Sequence, residues 1–263
     1  MRRSTALASL ILAATLTAVT AAPAAAAAST VDYVALGDSY SSGVGATGQF
    51  GLCLRSANAY PGLWAAAHHP RSYQSVACGG ATTDDVRALQ VYALSTRTDL
   101  ATITIGGNDV GFASTMIRCT VLDDAGCRAA VTEATDEAQN EVPAKLDATY
   151  RAIAGRAPNA RVLVLGYPML FDEAAPSCGF AGMSIAKRRA INQGARLLNG
   201  VIADRAQAAG FVYVDVTDDF AGHGACAPVA WIHGLEILPP TDSFHPTGNG
   251  YRYGYLPAMT AAA

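Results

Sequence analysis

The chain predicts an α/β domain built on a parallel sheet with helices on both faces, and three observations lead there. Five short runs rich in apolar and β-branched residues recur at 31–36, 73–77, 100–105, 161–166 and 211–216. Stretches with helix-compatible spacing stand between them, at 57–68, 83–91, 129–154 and 184–209. Strands alternating with helices in this way form parallel sheets whose strands are buried on both faces. The third observation is continuity: after the first 28 residues there is no internal repeat, no long charge block and no Pro-, Gly- or Ser-rich linker, so one domain accounts for the chain.

At the N-terminus, Arg2 and Arg3 precede an apolar stretch over residues 6–20 and a small-residue run over 21–28. A short basic segment, an apolar core and an Ala-x-Ala cleavage region make a secretory signal peptide. Cleavage is expected around 26–28, so residues 1–28 are set apart from the fold and 29–263 form the mature domain. A membrane anchor would need about 20 apolar residues, and this core is shorter and contains Thr15, Thr17 and Thr20. No later segment could span a bilayer, which predicts a secreted, extracellular protein without stable membrane insertion.

The first strand, 31–36, runs directly into Gly37-Asp38-Ser39-Tyr40-Ser41. A loop over 43–55 leads to the first sizeable helix. The second strand ends in Cys78-Gly79-Gly80 before the helix at 83–91. The third ends in Gly106-Gly107-Asn108-Asp109. A loop over 119–127 precedes the helical stretch 129–154, which Pro143 interrupts because it lacks an N–H and clashes with the preceding turn. Loops at 172–183 and 222–240 flank the longest and clearest helix, 184–209, and the fifth strand; the second of these loops is unusually apolar. A closing helix starts near Gly250. In an open α/β sheet, ligands bind outside the carboxyl ends of the strands, so the residues just after each run carry the most information.

The formal net charge is −3, and it becomes more negative by two once Arg2 and Arg3 are removed. No basic surface for nucleic acid or anionic lipid is implied. Cys53, Cys78, Cys119, Cys127, Cys178 and Cys226 form an even set, which in an exported chain reads as disulfides. Of the fifteen possible connectivities, sequential pairing is expected, because each bridge then clips a loop beside a strand. A zinc site lacks its spacing signals, since there is neither Cys-x-x-Cys nor His-Glu-x-x-His.

Ser39 and His245 look like a nucleophile and its base. A serine hydroxyl needs an imidazole to take its proton at neutral pH. Of the five histidines only His245 has an acid three residues upstream, Asp242, and a proline after it, Pro246; His68, His69, His223 and His233 read as surface or packing residues. Asn108 offers a neutral amide donor, and Gly80 a bare backbone N–H. Taken singly, Asp38 or Ser39 could merely cap a helix, Asn108 or Asp109 likewise, and Gly79-Gly80 could be an ordinary turn.

Their order after strands one, two and three and before the last helix is a stronger signal. With Gly-Asp-Ser-Tyr-Ser-Ser-Gly at 37–43, Cys-Gly-Gly-Ala-Thr-Thr-Asp-Asp-Val at 78–86 and Ser-Phe-His-Pro-Thr at 243–247, the mature chain resembles the SGNH, or GDSL, hydrolase family, in the manner of its secreted actinobacterial lipases and esterases. That resemblance implies a three-layer α/β/α sandwich of flavodoxin-like type with a five-stranded parallel sheet. It implies Ser39 as nucleophile, His245 as general base, and an oxyanion hole made by the N–H groups of Ser39 and Gly80 and the side chain of Asn108. The orienter of His245 is then Asp242 or the Ser243 main-chain carbonyl; the acid is present, and Asp242 is the expectation. Gly79 stands where relatives often carry serine or asparagine. The chemistry needs no metal and no organic cofactor, and a monomer is the default.

Gly43-x-Gly45-x-x-Gly48 matches a dinucleotide fingerprint by letter, but it begins several residues after the strand and lacks the acidic residue after strand two. The Gly-x-Ser-x-Gly elbow of α/β-hydrolases is absent around Ser39. For substrate, Phe112, Met116 and Ile117 together with residues 228–238 form a candidate acyl-chain wall, with plain packing of a loop over the core as the competing explanation. The expectation is a secreted serine ester hydrolase acting on small-molecule or lipid esters, chiefly fatty acyl esters. A carbohydrate acetylesterase, a phospholipase and a non-catalytic secreted binding protein are the alternatives.

Overall fold

The computed structural model describes residues 29–178 and 183–263; the expected signal segment 1–28 and part of the expected loop 172–183 lie outside them. Five strands, β1 (Asp32–Gly37), β2 (Ser72–Ser75), β3 (Leu100–Thr104), β4 (Arg161–Leu165) and β5 (Val212–Val214), form one sheet in the order β2-β1-β3-β4-β5. Every pairing is parallel. β1 and β3 lie at the centre, and their residues are buried almost throughout, as a strand covered on both faces requires. β2, with mostly exposed residues, forms one edge.

The helices are α1 (Ser39–Ser42), α2 (Tyr60–His68), α3 (Thr83–Asp85), α4 (Phe112–Val121), α5 (Asp124–Asn140), α6 (Val142–Arg156), α7 (Ile185–Ala208) and α8 (Leu256–Ala262). α3 continues through a π-helical turn, Val86–Gln90, and α8 is preceded by another, Gly250–Tyr255. Pro143 divides the long helical stretch as expected, and it does so by starting α6, where a missing N–H costs nothing. The expected loop 119–127 is instead the corner between α4 and α5, turned by Leu122 in extended conformation and capped by the Asp123 side chain on the Gly126 N–H. α4 was not predicted as a helix.

Apolar side chains of the central strands, among them Leu36, Ile103 and Leu163, are fully buried. Unusually for a core, several tyrosines join them with their hydroxyls bonded: Tyr33 to Thr102, Tyr60 to Ser41, Tyr251 to the Val44 carbonyl and Tyr255 to the Gly166 carbonyl. These phenols cross-link neighbouring elements, because each spans from apolar packing to a backbone or hydroxyl partner. Three disulfides join Cys53 to Cys78, Cys119 to Cys127 and Cys178 to Cys226. Among the described residues no helix is long and apolar enough to cross a membrane.

The turn from β1 into α1 depends on glycine. Gly37 has φ of 119°, and a Cβ there would run into the Thr104 carbonyl oxygen of β3. Gly37→Ala should therefore cost about 1–3 kcal/mol from backbone strain alone, measurable as a lowered urea midpoint at unchanged slope; an unaltered midpoint would contradict this account of the turn.

Candidate active site

Ser39 occupies the first position of α1, directly after β1, and Asp38 caps that helix by accepting from the Tyr40 N–H at 3.0 Å. The capping role is real, and Asp38 does more than cap. Its carboxylate is buried and also accepts from the Thr104 hydroxyl at 2.7 Å and from the Tyr167 hydroxyl. Burial pushes the Asp38 pKa up to about 6, against the pull of these donors. The Tyr167 oxygen in turn accepts from the Gly107 N–H at 3.1 Å, so one carboxylate binds the ends of β1, β3 and β4 together. Sequence reasoning missed Tyr167, since it follows β4 with no motif around it.

His245 arrives from the far end of the chain and meets the serine: its Nε2 lies 2.8 Å from Ser39 Oγ across 206 residues of sequence. The other ring nitrogen, Nδ1, lies 2.9 Å from the Ser243 carbonyl oxygen. A carbonyl can only accept, so Nδ1 carries the proton and Nε2 faces the hydroxyl with a free lone pair. Burial lowers the His245 pKa to about 4, partly offset by the Ser243 carbonyl and the Asp242 charge.

Contrary to expectation, the Asp242 carboxylate makes no hydrogen bond to the ring among the described residues, and the Ser243 carbonyl stands at Nδ1 instead. Asp242 closes a 3₁₀ turn, Pro240–Asp242, and its carboxylate accepts from the Gln49 side-chain amide at 2.9 Å. The chain then folds so that Phe244 takes φ of 62°, and this brings the Ser243 carbonyl under the imidazole. The Asp242 carboxylate acts on His245 as a nearby charge, while its main-chain carbonyl accepts from the His245 N–H at 3.1 Å.

The other two expected donors border the same groove as Ser39 and His245. Gly80 has φ of 81° and open space where a Cβ would stand. Its backbone N–H, like that of Ser39, has no protein partner among the described residues. The turn that presents it is fastened by the Cys53–Cys78 disulfide and by the Gly79 N–H donating to the Cys53 carbonyl at 3.0 Å. Asn108 donates to the Ala81 carbonyl at 2.9 Å, and its second amide hydrogen meets no acceptor among the described residues. Asp109 braces the same region by accepting from the Thr83 N–H and hydroxyl. His233 is no bystander either: its Nε2 lies 3.0 Å from the Gly45 carbonyl, and its backbone N–H donates to the His245 carbonyl at 2.9 Å.

The groove holds about 570 Å³, and its walls are mostly apolar. Phe112, Met116, Ile117 and Leu235 from the expected acyl wall line it, whereas Ile232 is buried in the core. A second, narrower cavity of about 80 Å³ adjoins Ser39 and Asn108 and continues past Val110 and Phe112 between α5 and α7. An arrangement of hydroxyl, neutral imidazole and clustered N–H donors beside apolar space is equipped for acyl transfer.

Residues 35–253 match the model of the GDSL-like lipase/acylhydrolase family. The chain is 47% identical over 234 residues to a lipase of Streptomyces rimosus, covering 88% of this chain and 86% of that one. It is 45% identical to lipase 1 of Streptomyces coelicolor, with 98% and 97% covered. Among solved structures, phospholipase A1 of Streptomyces albidoflavus superposes with a TM-score of 0.86 at 43% identity, over 89% of this chain and all of that one.

Two outcomes follow from the geometry. Asp242→Asn should leave kcat within about threefold, as for a partly exposed charge, where loss of a buried triad carboxylate costs about 10⁴-fold; a collapse in turnover would restore the acid as orienter. Because the base works only unprotonated and its pKa is depressed, kcat/KM should persist below neutrality and fall through an apparent pKa near 4. A pH–rate profile that falls instead at the ordinary imidazole value near 6.5 would contradict a half-buried ring held neutral.

Proposed function

The chain belongs to the GDSL-like lipase/acylhydrolase family and is a carboxylic ester hydrolase, and we propose that Ser39 is its nucleophile, His245 its general base and fatty acyl esters its substrates, outside the cell. The observation that carries the assignment is the 2.8 Å contact between Ser39 Oγ and His245 Nε2 at the floor of an apolar groove.

As Ser39 Oγ attacks the ester carbonyl carbon, Nε2 takes its proton, and the carbonyl oxygen becomes an oxyanion. The N–H groups of Ser39 and Gly80 and the free amide hydrogen of Asn108 hold that charge; one such donor is worth about 2.7–4 kcal/mol in the transition state. The intermediate collapses, the C–O bond to the alcohol breaks, and Nε2–H protonates the departing oxygen. Water then enters, gives a proton to Nε2 and attacks the acyl-serine; the acid leaves and Ser39 regains its proton. Nδ1–H donates to the Ser243 carbonyl throughout, which stabilises the imidazolium while it exists.

The fatty acyl reading rests on the adjoining cavity, since a channel lined by Val110, Phe112, Met116 and Leu198 offers methylene groups an apolar path that an acetyl group would not use. Names of the relatives, lipase and phospholipase A1, point the same way. Export is supported by the basic-then-apolar N-terminal sequence and by three disulfides, which persist in oxidising compartments. In this reading residues 1–28 are the signal peptide and 29–263 the hydrolase domain.

The test is hydrolysis of p-nitrophenyl esters from acetyl to palmitoyl by the wild type and Ser39→Ala. Ser39→Ala should lose essentially all turnover while remaining folded, and medium or long chains should be preferred. A preference for acetyl would favour a carbohydrate acetylesterase, and absent activity in a correctly folded wild type would favour a binding protein.

A further inference from the structure

The base of this site is oriented by a main-chain carbonyl, and a carbonyl stays in place only if the backbone that carries it is held. Ser243, Phe244 and His245 form a turn with an intrinsic weakness: Phe244 sits at φ of 62°, a left-handed conformation that a bulky residue rarely adopts. Relaxing Phe244 would rotate the flanking peptides and carry the Ser243 carbonyl away from Nδ1. Something must oppose that relaxation.

The Phe244 N–H is shared between the carbonyls of His233 and Gly234 at 3.2 and 3.3 Å, which are long contacts. The Phe244 carbonyl accepts a much shorter bond, 2.6 Å, from the hydroxyl of Tyr40. Both residues are buried, Tyr40 to 3% exposure and Phe244 to 6%. Tyr40 is also the residue after the nucleophile, its ring centre lies 5.2 Å from that of His245, and its own N–H is fixed by Asp38. One side chain thus connects the helix that presents the hydroxyl to the turn that presents the base.

We propose that Tyr40 is a positioning residue for the base: by donating to the Phe244 carbonyl it locks the 243–245 turn so that the Ser243 carbonyl meets His245 Nδ1. It does the orienting work that a carboxylate would otherwise do, without touching the reacting atoms. The proposal rests on the Ser39–His245 assignment, which Ser39→Ala tests separately.

The experiment compares Tyr40→Phe with Tyr255→Phe, using a soluble p-nitrophenyl ester. Tyr255 is as deeply buried, and its hydroxyl donates to the Gly166 carbonyl at 2.8 Å, away from the 243–245 turn. Tyr40→Phe should lower kcat on the order of 10²-fold, the scale of loss when a reacting group is misplaced, with KM unchanged. In proton NMR the downfield Nδ1–H signal of His245, present in the wild type, should shift upfield or broaden away. Tyr255→Phe should lower the melting temperature by a similar amount yet keep both kcat and that signal. If Tyr40→Phe retains wild-type kcat, or if the two variants lose kcat in parallel with stability, or if the Nδ1–H signal is unmoved in Tyr40→Phe, Tyr40 is a packing residue and the proposal fails. Inactive Ser39→Ala alongside an active Tyr40→Phe would overturn only the Tyr40 role.

Discussion

A hydroxyl and an imidazole that are 206 residues apart in sequence sit 2.8 Å from one another, and much of the architecture serves that one contact. The parallel sheet supplies the frame. Its interior strand β1 delivers Ser39 at a carboxyl edge, while the turn after the apolar 222–240 segment delivers His245 to the same edge. Neither element could hold the contact alone: α1 is four residues long, and the base turn contains a left-handed phenylalanine. Rigidity comes from cross-links between loops, through Tyr40 to Phe244, Tyr251 to Val44, and His233 to both Gly45 and His245.

Beneath the serine lies a second constraint, electrostatic in kind. A carboxylate buried as deeply as Asp38 is unfavourable unless several donors surround it, and here a threonine hydroxyl, a tyrosine hydroxyl and a backbone N–H do so. The partners come from three strand ends, so satisfying the charge also fixes the relative positions of the β1, β3 and β4 loops. A hydrophobic residue at this place would pack well and leave those loops uncoordinated. The same logic explains why the core contains so many tyrosines: each brings apolar bulk to the interior and a directional bond to its boundary.

The inner strands were legible because parallel strands buried on both faces leave contiguous apolar, β-branched runs, whereas the exposed edge strand β2, Ser-Tyr-Gln-Ser, overlaps its run only in part. That Ser39, Gly80, Asn108 and His245 border one groove was legible because each follows a strand or precedes a helix, where sheet geometry places ligands. α4 was hidden: Phe112–Val121 carries two threonines, a serine and a cysteine, weak helix formers held by burial of Met116 and Cys119 and by the disulfide to Cys127. The choice between Asp242 and the Ser243 carbonyl was not legible at all. It turns on the torsion angle of Phe244, and phenylalanine carries no local preference for that region. Tyr167 likewise acts across 129 residues on Asp38, a pairing that only the fold creates.

The Ser243 carbonyl has a consequence for how this site can change over generations. Every amino acid brings a main-chain carbonyl, so no codon replacement at position 243 deletes the group that meets Nδ1 of the imidazole. Heritable variation can reach it only indirectly, through residues that set the path of the backbone. The site therefore exposes fewer side chains to disruptive substitution than a carboxylate-oriented imidazole would, and the vulnerability passes to neighbours that never face the serine.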